Sequence, residues 1–372
     1  MKTVLIAGGG SGGHITPGLA LAEQCLAHHV HPILLHAPRQ VDREMLAGED
    51  FDAHAIPASP PSLHPKRAFQ CLWGLAKSRR ELRRLAKTRT IGGVITIGGF
   101  TAAAAGLVAR EAGWPLAVLN LDAVPGRANR MLCRWGTKNF TVHPHDHFPG
   151  ELTAHPIRSA AAVRGTKLEH RTALGLAPDR PTLLVTGASN GASTLNTLVV
   201  QLAQQHPNVF LGWQILHLAG SAHHPAVQDA WNQISLPDCP VTVLPFLHRM
   251  GHAFGASDLV LSRAGANSVA EIEAAGLPAL YLPYPWHKDQ HQRFNAQAAA
   301  NANAAIIATD HIESKTNLDQ IGPILSDLLT NHHRLTQMTE AARGRQIPNG
   351  TSELTKKILD AFGIVPTHGG SA

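Results

Sequence analysis

Short apolar runs alternate along this chain with longer stretches whose apolar residues recur at helical spacing. The runs are Thr3–Ala7, Ile33–Leu35, Val94–Ile97 and Leu116–Leu119 in the first half. In the second half they are Thr182–Thr186, Trp213–Leu218, Val241–Leu244, Leu259–Leu261 and Ala279–Leu282. Uninterrupted apolar runs of this length read as strands buried on both faces. Between them, Leu19, Ala22 and Leu26 mark one side of a helix opened by Pro17, and Val269, Ile272 and Ala275 one side of another over Asn267–Ala275. Further helices are expected over 102–112 and 194–204. Strand–helix alternation predicts an α/β fold with parallel sheets. The second half opens as the first does, on a strand, a glycine-rich turn and a helix. This repetition predicts two facing Rossmann-like α/β/α domains, 1–160 and 161–350, with a ligand between them. A last helix within 351–366 is expected to pack back on the first domain, ahead of a frayed tail.

The strand ends carry the chemistry. Gly8 to Gly13 and His14 follow the first strand at once. Backbone N–H groups in such a turn suit a charged or sugar ligand. The turn is not a P-loop, because no Gly-Lys-Ser/Thr closes it, and no acidic ribose ligand completes a dinucleotide fingerprint. His14 stands at the mouth as a candidate base or as a cap for its own helix. Gly98-Gly99, Asn120–Asp122 and Gly187–Ala192 end other strands and are expected on one side of a sheet, where α/β folds bind ligands. The stretch 258–295 is the richest. Gly265 opens a helix whose first N–H groups and dipole attract phosphate. Glu271, a turn further in, can accept hydrogen bonds from a ribose diol. His287, Lys288, Asp289, His291 and Gln292 add donors and acceptors for a sugar. The plainer reading is a surface strand–helix–strand unit with a polar loop.

Composition sharpens this in three places. Hydrophobic residues make up 44% and charged residues 16%, enough apolar material for two cores and against wholesale disorder. The net charge of +6 is local: residues 66–89 hold nine Lys/Arg against Glu81 alone. There Phe69, Leu72, Trp73 and Ala76 share a helical face beside Lys77 and Arg80. A basic helix with a Phe/Trp face reads as a membrane-surface element for anionic lipid, or as a helix packed on the sheet with solvated charges. Nothing resembles a nucleic-acid motif. Four scattered cysteines fit a reducing compartment. The histidines at 143, 145 and 147 match no structural zinc spacing, so no metal is expected there. The start carries no signal peptide and no run of 18 apolar residues occurs, so a cytoplasmic protein on the inner membrane face is expected.

In order along the chain, GGGSGGHITPGLALA (8–22), GGF (98–100), AVPGRANR (123–130), HPIR (155–158), TGASNGA (186–192) and RAGANSVAEIEAAGLPAL (263–280) stand out, with His291-Gln292 and Asn295-Ala296 after them. This set resembles the MurG-type N-acetylglucosaminyltransferases over nearly the whole chain. The resemblance implies a GT-B fold and an inverting transfer of GlcNAc from UDP-GlcNAc to a polyprenyl-diphosphate-linked acceptor, with no cofactor or metal. It implies uracil against Leu247 and ribose on Glu271. It sets the diphosphate along Ala266, Asn267 and Ser268 near Ser189 and Arg158, and the sugar at His291 and Gln292. Ser11, Gly12, Gly13 and His14 would meet the acceptor, and Asp122 the sugar. Leu119-Asn120-Leu121-Asp122 replaces the family's usual His-Glu-Gln-Asn, and Ala103-Ala104 its Gly-Pro. A transferase with another lipid or glycan acceptor, a UDP-GlcNAc epimerase and a non-catalytic nucleotide-sugar-binding homologue are the alternatives.

Overall fold

The computed structural model describes residues 1–9, 12–59, 64–187 and 191–364. The chain forms two compact units: Met1–Arg158 with Asn349–Ala372, and Ser159–Pro348.

The first unit runs β1 (Thr3–Gly8), α1 (Gly12–Ala27), β2 (His31–His36), α2 (Gln40–Leu46), β3 (Asp52–Ala55), α3 (Pro65–Thr88), β4 (Ile91–Gly98), α4 (Gly99–Ala112), β5 (Leu116–Asn120), α5 (Arg127–Leu132), β6 (Lys138–Thr141) and β7 (Glu151–Leu152). The second runs α6 (Lys167–Ala173), β8 (Thr182–Thr186), α7 (Ser193–Gln205), β9 (Gln214–Leu218), α8 (His224–Asn232), β10 (Val241–Leu244), α9 (Met250–Ala256), β11 (Leu259–Ser262), α10 (Ala266–Ala274), β12 (Ala279–Tyr281), α11 (His291–Asn301), β13 (Ala305–Ile307), α12 (Ser314–Thr330) and α13 (His332–Gly344). A final helix, α14 (Thr351–Ala361), belongs to the first unit and packs on α1.

Both sheets are parallel. Their orders are β3-β2-β1-β4-β5-β6-β7 and β10-β9-β8-β11-β12-β13. In each, the order reverses beside the unit's first strand, between β1 and β4 and between β8 and β11. In doubly wound sheets ligands bind at that reversal, outside the carboxyl ends of the strands. Register centres both sheets on apolar residues. Leu5 lies level with Ile33 and Val94, and Leu184 with Leu216 and Val260.

Alternation along the strands fills both faces of the second sheet. Leu183, Val185, Ile215, Leu259 and Leu261 pack with α7 and α12 on one face. Leu184, Leu216 and Val260 pack with Phe254, Val269 and Ile272 on the other. This is why these strands read as unbroken apolar runs rather than as alternating ones. In the first unit, Leu5, Ala7, Leu35, Val94 and Val118 meet Ala104, Ala105 and Val108 of α4 and Leu82 of α3.

One expectation needs correction, and one open alternative is decided. The first helix begins at Gly12, not at Pro17, which lies inside it. Pro17 forfeits the bond its missing N–H would have given to the residue 13 carbonyl and its ring crowds that carbonyl, yet the helix carries on to Ala27. Secondly, Phe69, Leu72 and Trp73 do not pack on the sheet: they are 69%, 67% and 55% exposed. The inward face of α3 is Gly74, Ser78 and Leu82. A side chain at 74 would fall 2.2 Å from the Pro57 carbonyl, so this helix approaches its neighbour through a glycine.

Candidate functional site

At the first unit's reversal the chain brings glycines together to make room for one imidazole. His14 lies on the first turn of α1, half-buried. A Cβ on Gly98 would stand 2.7 Å from its Nε2, and one on Gly99 3.4 Å from its Nδ1 and 2.6 Å from the Gly9 carbonyl. Both glycines have positive φ, 145° and 78°. Only glycine meets both conditions, so the two turns after β1 and β4 together set the ring's position. Gly12 and Gly13 form the start of α1, and Gly13 is exposed. Ser11 lies outside the described residues.

Beside it, the ends of β4, β5 and β6 are tied by amides. Asn129 of α5 donates to the carbonyls of Ile97 (3.4 Å) and Leu119 (3.2 Å) and to Asn120 Oδ1 (3.3 Å). Asn120 donates to the Asp122 carbonyl (2.8 Å) and Thr141 Oγ1 (3.2 Å). In the segment 119–122 the first three residues are buried, and Asp122 alone is partly exposed. Burial holds His155, close to Asp122, down at about 4, although its bond to the Pro156 carbonyl and the Asp122 charge pull the other way.

The second unit builds its edge with charge. Arg263, on the turn after β11, is buried and pairs with the fully buried Asp310 carboxylate at 2.7 Å. It also donates to the Leu282 carbonyl (2.9 Å) and Thr194 Oγ1 (2.8 Å). Asp310 accepts from Thr194 Oγ1 (2.6 Å), Asn317 Nδ2 (2.8 Å) and the Ile312 N–H (2.8 Å). Burial opposes ionisation of Asp310, yet these bonds and the Arg263 charge outweigh it and hold the carboxyl low. The network joins the turn after β11 to the starts of α7 and α12. Asn295 of α11, also buried, donates to the Ala264 carbonyl at 3.2 Å.

On this frame α10 starts directly after Gly265, so Ala266, Asn267 and Ser268 form its first turn. The first N–H groups of a helix and its dipole favour an anion at such a position. Glu271 is half-buried one turn on. Leu247, on the β10–α9 connection, is half-buried against the core. Gln292 Oε1 accepts the Tyr284 N–H at 2.8 Å. His291 Nδ1 bonds Asp289 at 2.7 Å, and its ring stacks on His287 with centroids 4.2 Å apart. Thus Leu247, the 266–271 turn, His291 and Gln292 all belong to the carboxyl edge of one sheet. Ser189 lies outside the described residues.

Arg158 closes the first stretch of the first unit. Its guanidinium pairs with Glu23 of α1 at 3.0 Å and with Glu49. Burial opposes its charge, but the two carboxylates raise its pKa. The histidine loop is a hydrogen-bonded turn, His147 N–H to His145 Nδ1 at 3.1 Å. Among the described residues no group of three or more His, Cys, Asp or Glu is arranged to hold a metal ion.

The Glycosyltransferase family 28 N-terminal domain matches residues 4–141, and the Glycosyltransferase family 28 C-terminal domain residues 182–354. The UDP-N-acetylglucosamine--N-acetylmuramyl-(pentapeptide) pyrophosphoryl-undecaprenol N-acetylglucosamine transferase of Clavibacter sepedonicus is 32% identical over 380 residues, covering 99% of both chains. The enzyme of the same name from Pseudomonas putida is 32% identical over 365 residues, 96% of this chain and 98% of its own. The chain belongs to the MurG-type glycosyltransferases of family 28. A crystal structure of Acinetobacter baumannii MurG is similar with a TM-score of 0.72 and 26% identity, over 97% of this chain and 100% of that one. The fold is GT-B, which Phytolacca americana UGT2 shares at a TM-score of 0.68 and 15% identity over 98% and 100% of the chains. Within a MurG-type chain the Arg263–Asp310 pair and the Asn120–Asn129 knot carried no sequence signal. Their members lie 47 and 9 residues apart, and neither pair forms a chemical motif.

Proposed function

We propose that the protein moves GlcNAc from UDP-GlcNAc to the 4-hydroxyl of the N-acetylmuramyl unit of a polyprenyl-diphosphate lipid, with inversion and without a metal ion. The observation that carries this reading is the imidazole of His14 on a ledge of glycines at the carboxyl edge of the first sheet, in a chain similar over its whole length to transferases named for this reaction.

The acceptor oxygen attacks the anomeric carbon as the bond from that carbon to the diphosphate oxygen breaks. The hydroxyl proton goes to His14, the general base, and UDP leaves with the electron pair. Charge developing on UDP is met by the start of α10 and by Ser189. Glu271 accepts from the ribose diol, Leu247 flanks uracil, and His291, Gln292 and Asp122 hold the sugar. Ser11, Gly12 and Gly13 bind the acceptor diphosphate. Arg158 has to leave Glu23 and Glu49 before it can serve a diphosphate.

A lipid acceptor needs a membrane-bound enzyme. No helix among the described residues is long and apolar enough to cross a bilayer. The exposed Phe69, Leu72 and Trp73, with Lys77 and Arg80 beside them, suit an anionic membrane surface on the cytoplasmic side.

The test is UDP release, followed with UDP-GlcNAc and a polyprenyl-diphosphate N-acetylmuramyl-pentapeptide. Turnover that needs both substrates supports the reading. No release from protein that binds UDP-GlcNAc overturns the acceptor. The segment 119–122 favours one second reading, a transferase with a different acceptor, because three of its four side chains are buried in the fold. An acceptor screen read by mass separates the two.

A further inference from the structure

The second unit has another opening, at the amino-terminal edge of its sheet. A cavity of about 510 Å³ lies there, floored by Pro181, Asp258 and Pro278, the residues that lead into β8, β11 and β12. Helix α13 forms the facing wall with Thr336 and Arg343. A strand of this sheet spans about 16 Å at ~3.3 Å per residue, so the cavity is separate from the edge that carries Glu271. Its size is that of small-molecule sites.

The lining sets two cations, Lys167 and Arg343, against two carboxylates, Asp258 and Glu340. Asp258 accepts from Lys167 Nζ (2.5 Å), Arg171 Nη2 (2.7 Å) and the Thr182 N–H (2.8 Å), so most of its acceptor capacity is used. Lys167 gives Asp258 one of its three N–H donors, which leaves two for a ligand. The lining is neutral in sum, and the buried Arg171 behind it, bonded to Asp258, brings the surroundings to one positive charge. Phe254 and Leu277 supply an apolar wall.

A second feature points to a ligand. His170 belongs to the lining and is 3% exposed. Its Nδ1 bonds His252 Nδ1 at 3.1 Å, while its Nε2 is buried with no hydrogen-bond partner. The ring lies flush on Gly255, where a Cβ would stand 2.0 Å from its Cδ2. A buried polar atom left unsatisfied is costly, and a ligand that draws the ring off Gly255 would recover that cost.

We propose that this cavity is a second binding site, for a small organic anion. The carboxylate or phosphate head meets Lys167 and Arg343, a polar group bonds His170, and the apolar body lies on Phe254 and Leu277. The inference does not rest on the transfer reaction.

Calorimetry with 3-phenylpropionate, phenyl phosphate and neutral 3-phenylpropionamide tests it on the full chain. Either anion should bind and the amide should not. The better of the two anions identifies the head group. Arg343→Glu, at an exposed position, and His170→Phe, which keeps a ring, should each weaken that anion by about tenfold or more, the cost of a charge-assisted hydrogen bond. Thr336→Trp should fill the cavity and abolish binding while a melting curve shows the fold intact. Absence of binding at millimolar anion overturns the proposal. So do equal affinity for the amide, displacement of the anion by UDP, and unchanged affinity in both the Arg343 and His170 variants.

Discussion

The two units share one order over their first six strands and yet prepare their carboxyl edges by opposite means. The first removes side chains: Gly98 and Gly99, at positive φ, let backbone close on His14. The second inserts them: Arg263 and Asp310 form a buried ion pair that fixes the turn before α10. Topology marks where a ligand can bind. What it can do there is set by whether that space is emptied or charged. An emptied edge suits close approach of a substrate to a base. A charged frame suits holding a helix start against a diphosphate.

The sharpest way to break this contrast is at His14. His14→Ala should lower turnover by about 10²–10⁴, the usual loss on removing a general base. Affinity for UDP, measured by calorimetry, should stay unchanged, because the proposed nucleotide site is on the other unit. Gly98→Ala should lower turnover in the same direction, since a Cβ there meets Nε2 at 2.7 Å and the φ of 145° is strained for alanine. Equal rates in His14→Ala and the parent would return the ring to a capping role.

The opposite edge should fail by loss of structure instead. Removing one member of a buried ion pair costs about 3–5 kcal/mol. Asp310→Ala should therefore reduce unfolding stability by that order and loosen UDP binding with it. A urea curve for Asp310→Ala that overlays the parent would show that the pair is not what holds the turn.

Acid should strain both units through buried neutral histidines. His217 donates from Nε2 to Asn196 Oδ1 (3.0 Å), because its Nδ1 accepts the Trp231 N–H (3.0 Å). Burial takes it from 6.5 down to about 3, and His155 in the first unit down to about 4. Below about pH 6.5 the unfolded chain gains these protons and the folded one does not. Stability is therefore full above that pH and is lost on acidification, at about 1.4 kcal/mol per pH unit for each ring. The loss continues to about 4 for His155 and about 3 for His217. Urea curves at pH 7.5 and 5 should differ by a few kcal/mol, with a smaller difference in His217→Leu. A flat pH profile would contradict the burial of both rings.

Glu271→Ala sharpens the charged edge without dismantling it. Losing a charge-assisted pair to a ribose diol costs about 1.5–3 kcal/mol, or roughly tenfold or more in UDP affinity. Glu271→Gln keeps one acceptor and should lose less. Unchanged UDP affinity in Glu271→Ala would remove the ribose role.

Much of this was legible in the sequence, because strands buried on both faces are apolar throughout and glycine turns follow them directly. The unit from Leu259 to Tyr281 reads off its residues almost to the position, since Gly265 and Gly276-Leu277-Pro278 punctuate it. Illegible were contacts closed over distance. Asp310 follows Arg263 by 47 residues with nothing to announce the pair. Nor did anything near Arg158 in the sequence announce Glu23 and Glu49, the two carboxylates that pair with it. On α3 the pattern marked the right face and left open which way it pointed. Gly74, whose missing side chain lets α3 close on Pro57, turns Phe69 and Trp73 outward.

That outward face gives the smallest effects and the last test. It belongs to neither edge, and it asks whether the first unit also carries the means to reach a lipid acceptor. Lys77 lies over the Trp73 ring at 5.1 Å, so cation and aromatic act as one patch. Arg79 and Arg83, by contrast, reach Glu111 of α4 at 2.6 and 3.6 Å and are partly neutralised. Lys77 and Arg80, which Glu111 does not reach, should therefore give more of the membrane charge than Arg79 and Arg83. Each contributes about 1 kcal/mol near an anionic surface, screened by salt. Binding to vesicles of phosphatidylglycerol with phosphatidylcholine should fall as salt rises. Lys77→Gln with Arg80→Gln should weaken it at low salt only. Phe69→Ala with Trp73→Ala should weaken it at every salt concentration, because the apolar contribution is not screened. Since these side chains are exposed, that double variant should keep the parent's melting temperature. A large drop in melting temperature, with no vesicle binding by the parent, would mean that the face is covered by protein and that lipid is reached by another route.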